Sequence, residues 1–466
     1  MGEGKGRTAH RQSRVPPGRT GAFLGLLYGL SATGTSAATV TVPQLGAAFG
    51  VGHSAAAWVI SSYAVMLAVA TPLHGRLADA AGLRLPLCIG IVVMAAGAIG
   101  SALAPGFPFL IVARVVQGFG AASIPVLATA LVTTLLAGSG RSAALGRLAG
   151  VAGTFSALGP VLGGGLEQLG GWRLAMALPA LGLLAVPVLA KLAPAGGTGE
   201  RIDRTGAVLV AVAASGLVLL LQSPASGAVT AVVGLALLTT GTPAIAAWVR
   251  ARPDGFLPRR VVTNPGVLRC AFAAAAVPAS WFGLLVGVPI AAAGWGWTPL
   301  RIGLLMVPAA LAGFLSPRVA RQALGRLAAP RAIAVACVLT AGALPMAAVA
   351  VQTRLPVLLA VAMMLLIVAF GIGQSALIAA VDEAVATTDR GVAIGIATLI
   401  FLTGASIGAA LAGGLADVTG LPAVFCLLVV LPVAGLAVLA ARVRTAAGNG
   451  EKMMMTPNPD DTGRRP

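Results

Sequence analysis

Apolar residues run in long blocks along the chain, and the polar breaks between them hold almost all the arginines. Each block is about 20 residues long, which as α-helix matches the ~30 Å hydrocarbon core of a bilayer. Fourteen blocks are predicted: 20–45, 55–74, 85–104, 107–136, 142–166, 173–193, 205–222, 226–249, 267–293, 300–317, 332–352, 355–380, 391–416 and 421–441. Several connections are very short, such as Pro105 to Pro108 and Thr353 to Pro356, so tight helical hairpins are predicted. The pattern is that of an all-α polytopic membrane protein with fourteen transmembrane helices.

The first block follows a polar, basic tail, 1–19, with Lys5, Arg7, Arg11, Arg14 and Arg19. It is too long for a signal-peptide core and is followed by many more spans, so it reads as a retained helix. Placing the N-terminus in the cytoplasm and alternating puts 27 of the 31 Lys and Arg on one side. Arg173, Arg301 and Arg354 fall on the other side, and Arg114 lies inside a span. That asymmetry follows the positive-inside rule and predicts a multi-pass protein of the cell membrane with both termini cytoplasmic. Six helices (20–193) precede two extra ones (205–249), and six more follow (267–441). Two six-helix bundles with a site between them is a transporter plan. The segment 446–466 is polar and expected to be disordered.

Composition agrees: 58% of residues are hydrophobic and 9% charged, against about a quarter charged in soluble domains. The net charge of +18 is accounted for by topology, so no nucleic acid is expected as a partner. Cys88, Cys270, Cys337 and Cys426 lack metal-ligand spacing and read as small apolar residues; no metal is expected. The histidines, His10, His53 and His74, are scattered, and no catalytic set shares a depth, so the chain does not read as an enzyme. His74 reads as an interfacial residue.

Three stretches carry candidate chemistry. The break after the second block reads GRLADAAGLR: Gly75 and Gly82 permit a tight turn, and Asp79 lies beside Arg76 and Arg84. By itself this is a charged turn at a membrane surface. Arg114, in ARVVQGFGAA, costs about 2.5–3.5 kcal/mol at a bilayer centre on insertion scales. It either snorkels to the headgroups or faces a polar cavity, with Gln117 on the same helix face. Finally, GVAGTFSALGPVLGGG (150–165) has almost no bulk. Gly150, Gly153, Ala157, Pro160 and Gly164 form one helical stripe, and Ala152, Ser156, Gly159 and Gly163 another. Such stripes admit close helix approach, either as plain tight packing or as a surface built to slide, and Pro160 is expected to bend the helix.

These three motifs, in this order, resemble those of the major facilitator superfamily, fourteen-helix drug:proton antiporter branch. Gly75, Arg76, Asp79, Gly82 and Arg84 match its signature loop; Arg114, Gln117, Gly118 and Gly120 its fourth-helix motif; Gly150, Gly153, Gly159, Pro160, Gly163 and Gly164 its antiporter motif. RIDRTGAVLV, PDGFLPRRVVTNPGVLR and GWGWTPLRIGLLMVP are similar to its later segments, with Trp295 and Trp297 at an outer interface. The resemblance implies that the loop latches the two bundles together on the cytoplasmic side and that Arg114 serves proton coupling. A second-half echo, GRLAAPR (325–331), lacks the acid.

The chain departs from the branch in the first helix, where GTSAATVTVP places Gly34 at the usual acid, Thr39 at an asparagine and Pro43 at the proline. None of the 13 acids falls at mid-membrane. Tyr28, Thr35, Thr39 and Gln44 are the cavity candidates, uncharged hydrogen-bonding groups. The expectation is an exporter of a drug, antibiotic or similar amphipathic small molecule, neutral or anionic, working by alternating access as a monomer in the lipid bilayer. It needs no cofactor beyond the proton gradient. A facilitator or importer, or a non-transporting sensor on the same fold, are the competing expectations.

Overall fold

The computed structural model describes residues 16–136, 138–197, 203–253, 255–385 and 390–441, and these are helical with no strand among them. Helix α1 is Pro17–Phe49, α2 Trp58–Ala81, α3 Arg84–Ala102 and α4 Phe107–Leu135. The next run, Gly138–Ala177, loses helical dihedrals at Gly170 and Gly171 (φ 73°). It is divided there into α5 (138–169) and α6 (172–192). The expected bend at Pro160 is thus not where the dihedrals break. Then follow α7 Arg204–Ser226, α8 Ala228–Ala251, α9 Pro265–Gly294 and α10 Pro299–Leu324. The last four are α11 Ala329–Thr353, α12 Pro356–Ala384, α13 Arg390–Thr419 and α14 Leu421–Ala441. Of the tail calls, 1–19 and 446–466, residues 1–15 and 446–466 lie outside the described residues, and Pro17, Gly18 and Arg19 open α1.

Eleven of the described segments are long and apolar enough to cross a membrane. Of α2 the stretch Trp58–Thr71 counts as a shorter apolar helix, while α1 and early α5 fall outside the set because Ser, Thr and Gly dilute them. The hydroxyls of α1 are housed by its own backbone: Thr33 donates to Leu30 O (2.7 Å), Thr39 to Ser36 O (2.8 Å) and Thr41 to Ala38 O (2.9 Å). Such back-bonding lets a polar helix sit in an apolar core.

The helices gather their connections on two faces. The face near both ends of the described chain holds the α2–α3, α4–α5, α6–α7 and α8–α9 connections; the far face holds α1–α2, α5–α6 and α9–α10. Packing differs between the two. In the far half a single apolar core runs through both bundles, from Val40, Val42, Leu45 and Ile60 to Leu284, Val288, Met306 and Leu421. In the terminal half it divides into one core in each bundle, with a smaller cluster joining α2 and α13 through α7. One core holds Leu24, Leu27, Ile91 and Leu131, the other Val267, Ile333, Ile372 and Phe401. The bundles are therefore welded together at the far face. Helices α7 and α8 pair through Gly216 and Gly234, where a Cβ would lie 2.6 Å from Leu238 N and Leu220 N respectively. Of the two, α7 also packs on both α2 and α13, sharing an apolar cluster of Val65, Val69, Val210, Val218, Leu399 and Ala410.

Candidate transport site and seams

Arg114, on α4, is fully buried (0% exposed). It does not snorkel. Nε donates to Val59 O (2.8 Å) on α2, and Nη1 donates to Gly34 O (3.0 Å) on α1 and to Gln117 Oε1 (2.7 Å). The guanidinium lies 4.5 Å from the ring centroid of Tyr63, a contact that grows in strength when desolvated. Nη2 has no partner. Arg114 therefore ties α1, α2 and α4 together through backbone oxygens. Gln117 turns its amide nitrogen to α1: a Cβ on Gly34 would stand 3.0 Å from Gln117 Nε2 and from Pro179 Cγ.

The cavity candidates divide. Thr39 is fully buried, with its hydroxyl proton spent on α1, and Thr35 is buried too. Tyr28 and Gln44 are half-buried. Gln44 Oε1 is buried without a partner, as is Glu167 Oε2 on α5. The sequence places Glu167 past the end of a span; the structure buries it to 8% exposure.

The small-residue stripe on α5 serves two neighbours. Gly159 abuts Ser36, and a Cβ on Gly163 would lie 2.7 Å from Ala37 Cα, both on α1. Gly164 faces the other bundle, where its Cβ would stand 2.7 Å from Pro299 C, and Pro160 abuts Gly303 of α10. Gly150 and Gly153, nearer the terminal face, have open space beside them. There α10 leans on α12 instead, with Gly313 3.1 Å from Ile367 Cγ1 by the same measure. The α5–α10 seam is closed in its far half, and among the described residues nothing lies within 4 Å of a Cβ at Gly150 or Gly153. The side chains of Ser156 and Ala157 lie outside the described residues.

The loop after α2 is held by its own bundle and by the linker. Gly82 takes φ 80°, and a Cβ there would meet Gly196 O at 2.5 Å, so both conformation and contact require glycine. Arg76 Nη2 donates to Gly255 O (2.6 Å) and Phe256 O (3.2 Å) in the α8–α9 linker. Arg84 is exposed, and the Asp79 side chain lies outside the described residues. The same linker is gripped by a residue the sequence reading passed over. Asp203 caps α7 by accepting from Gly206 N (3.0 Å), and it also accepts from Trp248 Nε1 (2.9 Å) and Phe256 N (2.8 Å). Burial works against its charge, but these bonds and the nearby Arg252 outweigh it and hold the carboxyl below its usual range. An aspartate two residues before a helical block is an N-cap signal, so Asp203 was findable. His74 is a correction: it is buried, its ring packs 5.1 Å from that of Phe119, and Nδ1 donates to Ala70 O (2.9 Å).

Two bundles, a buried arginine bonded to backbone inside the first, and seams α5–α10 and α2–α13 between them are the geometry of a facilitator. The sequence profile of the Major Facilitator Superfamily matches residues 24–385. The chain belongs to the Major Facilitator Superfamily. Among similar proteins is an uncharacterised MFS-type transporter of Mycobacterium tuberculosis, 28% identical over 420 residues, covering 84% of this chain and 59% of the relative. The cephamycin export protein CmcT of Amycolatopsis lactamdurans is 33% identical over 304 residues, 59% of this chain and 62% of that one. The multidrug resistance protein Stp of M. tuberculosis is 36% identical over 135 residues, 29% of this chain and 25% of its own length. The chain spans about three-fifths of the first of these relatives.

Proposed function

We propose that this facilitator exports an amphipathic small molecule, a drug or antibiotic, from the cytoplasm across the cell membrane by alternating access. The basic terminal face is cytoplasmic, the chain acts as a monomer, and the proton gradient drives it without another cofactor. The observation that carries the reading is the α5–α10 seam, packed glycine to backbone at the far face and open beside Gly150 and Gly153 at the terminal face. That is a state ready to load from the cytoplasm. The names of CmcT and Stp, an exporter and a resistance protein, support the direction.

The preferred cargo is neutral or anionic. Arg114 makes its bonds to carbonyls and to Gln117, so its charge is not cancelled by a carboxylate among the described hydrogen-bond partners. In a medium of low dielectric that charge repels a cation. The test is efflux of labelled antibiotics and dyes from cells stripped of their own pumps. Export of a neutral or acidic compound that is lost in Arg114→Ala supports the proposal; no export of any compound overturns it. Cysteines at Gly52, Pro105 and Gly227 should react with an impermeant thiol reagent in intact cells, and one at Gly140 should not.

A further inference from the structure

Helices α1 and α5 run parallel in a constant register: Gly21 meets Ala144, Gly25 meets Leu148 and Ser36 meets Gly159. The same offset sets Gln44 level with Glu167. These two residues hold two of the buried polar atoms without a partner, Gln44 Oε1 and Glu167 Oε2. Both atoms are acceptors, and each lacks a donor. Glu167 lies one helical turn beyond Gly163, which faces α1, and Gly164, which faces Pro299 of α10. It therefore sits in the groove between its own bundle and the other, where the far face is sealed.

We propose that Glu167 takes up a proton from the far side when this seam closes, and that the resulting acid O–H is donated to Gln44. One proton fills both vacancies, turning one acceptor into a donor for the other. A bare carboxylate in the same place would be a buried charge without a counter-ion. The surrounding charges do not supply one. Among the described residues the far half of α1 carries no titratable group, and Cys88 of α3 lies near its terminal end. At the start of α10, Arg301 is exposed and stacked over Trp297 (4.3 Å). Beyond the Gly170–Gly171 break, Arg173 is exposed over Trp172 (4.4 Å). Asp417 of α13 is exposed near Gly52. When the seam opens, Glu167 meets water and returns the proton. A monovalent cation would need more oxygen ligands than this pair supplies.

The inference rests on alternating access but not on any cargo, so its test needs none. Spin labels at Leu103→Cys and Leu355→Cys, both exposed near the far face, report the gap between bundles in lipid nanodiscs. Cys88 and Cys426 are first replaced by alanine. The closed-to-open ratio is expected to rise by up to tenfold for each unit that the pH falls, the slope of one proton. E167Q, whose amide donates to Gln44 at any pH, should stay closed across the range, and Q44L should need a lower pH to close. A gap unmoved by pH, an E167Q that titrates like the parent, or closure that follows sodium at fixed pH would each overturn it. Loss of export with an intact pH response would count against the transport reading alone.

Discussion

Arg114 donates to the backbone oxygen of Gly34, 3.0 Å away. Gly34 occupies the position where the resembled antiporter branch carries an acid, so the arginine is anchored at that point of α1 by a peptide dipole instead of a charge. A side chain there would press on Gln117 Nε2 and Pro179 at 3.0 Å. The substitution of glycine for an acid thus leaves Arg114 in place and changes the net charge around it.

Gly34→Asp restores that charge. Export of a neutral or acidic cargo should fall at least about tenfold, equivalent to roughly 1.4 kcal/mol, while efflux of cationic dyes rises. Dye efflux and resistance against the parent protein read both changes. Strong ethidium export by the parent would show the charge argument to be wrong.

Arg114→Lys should not rescue Arg114→Ala. A lysine offers one compact ammonium, whereas the guanidinium reaches Val59 O, Gly34 O and Gln117 Oε1 from two nitrogens. Transport into inverted vesicles should be lost in both variants, with the protein still inserted. Parental rates in Arg114→Lys would reduce the residue to a plain charge.

Gly164→Leu and Gly153→Leu should trap opposite states. The first forces bulk against Pro299 at the far face and holds that seam open; the second fills the space that must close on the terminal side. Thiol labelling of Met306→Cys, buried in the shared core, should quicken in the first variant and slow in the second. Equal labelling in both would show the stripe to be filler.

Asp203→Asn should loosen the α7–α8 hairpin. Asparagine still caps Gly206 through Oδ1, but its amide nitrogen cannot accept from Trp248 Nε1 and Phe256 N as Oδ2 does. Because the folded carboxyl lies below its unfolded value of about 3.9, its contribution is full above that pH and fades as pH falls through the folded value. The melting temperature of the variant should therefore lie below that of the parent at neutral pH, and the gap should shrink under strong acid. A constant gap would point to lost packing at Trp248 instead.

The membrane spans were legible because hydrocarbon imposes one rule on every helix, and Arg114 stood out because a lone charge in a span needs a reason. What the stripe of α5 touches was not legible. Helical periodicity shows that Gly163 and Gly164 share a face, but only the tertiary packing assigns one to α1 and the other to α10. Glu167 was placed at a span edge because span ends were drawn from hydropathy, and the acid itself pulled the boundary inward. Of the loop expected to latch bundle to bundle, Arg76 holds the linker between them, a segment whose sequence gave no sign of being a partner.

The α7–α8 hairpin lies across the α2–α13 seam, with α7 against both helices and α8 turned to the surface, where Val229 and Val232 are largely exposed. The two seams between the bundles thus face different surroundings. A hydrophobic cargo diffusing within the bilayer meets a wall on the side of α7, while on the side of Gly150 and Gly153 it meets a slot. Among the described residues the extra pair of helices thus covers one seam and leaves the other uncovered by it.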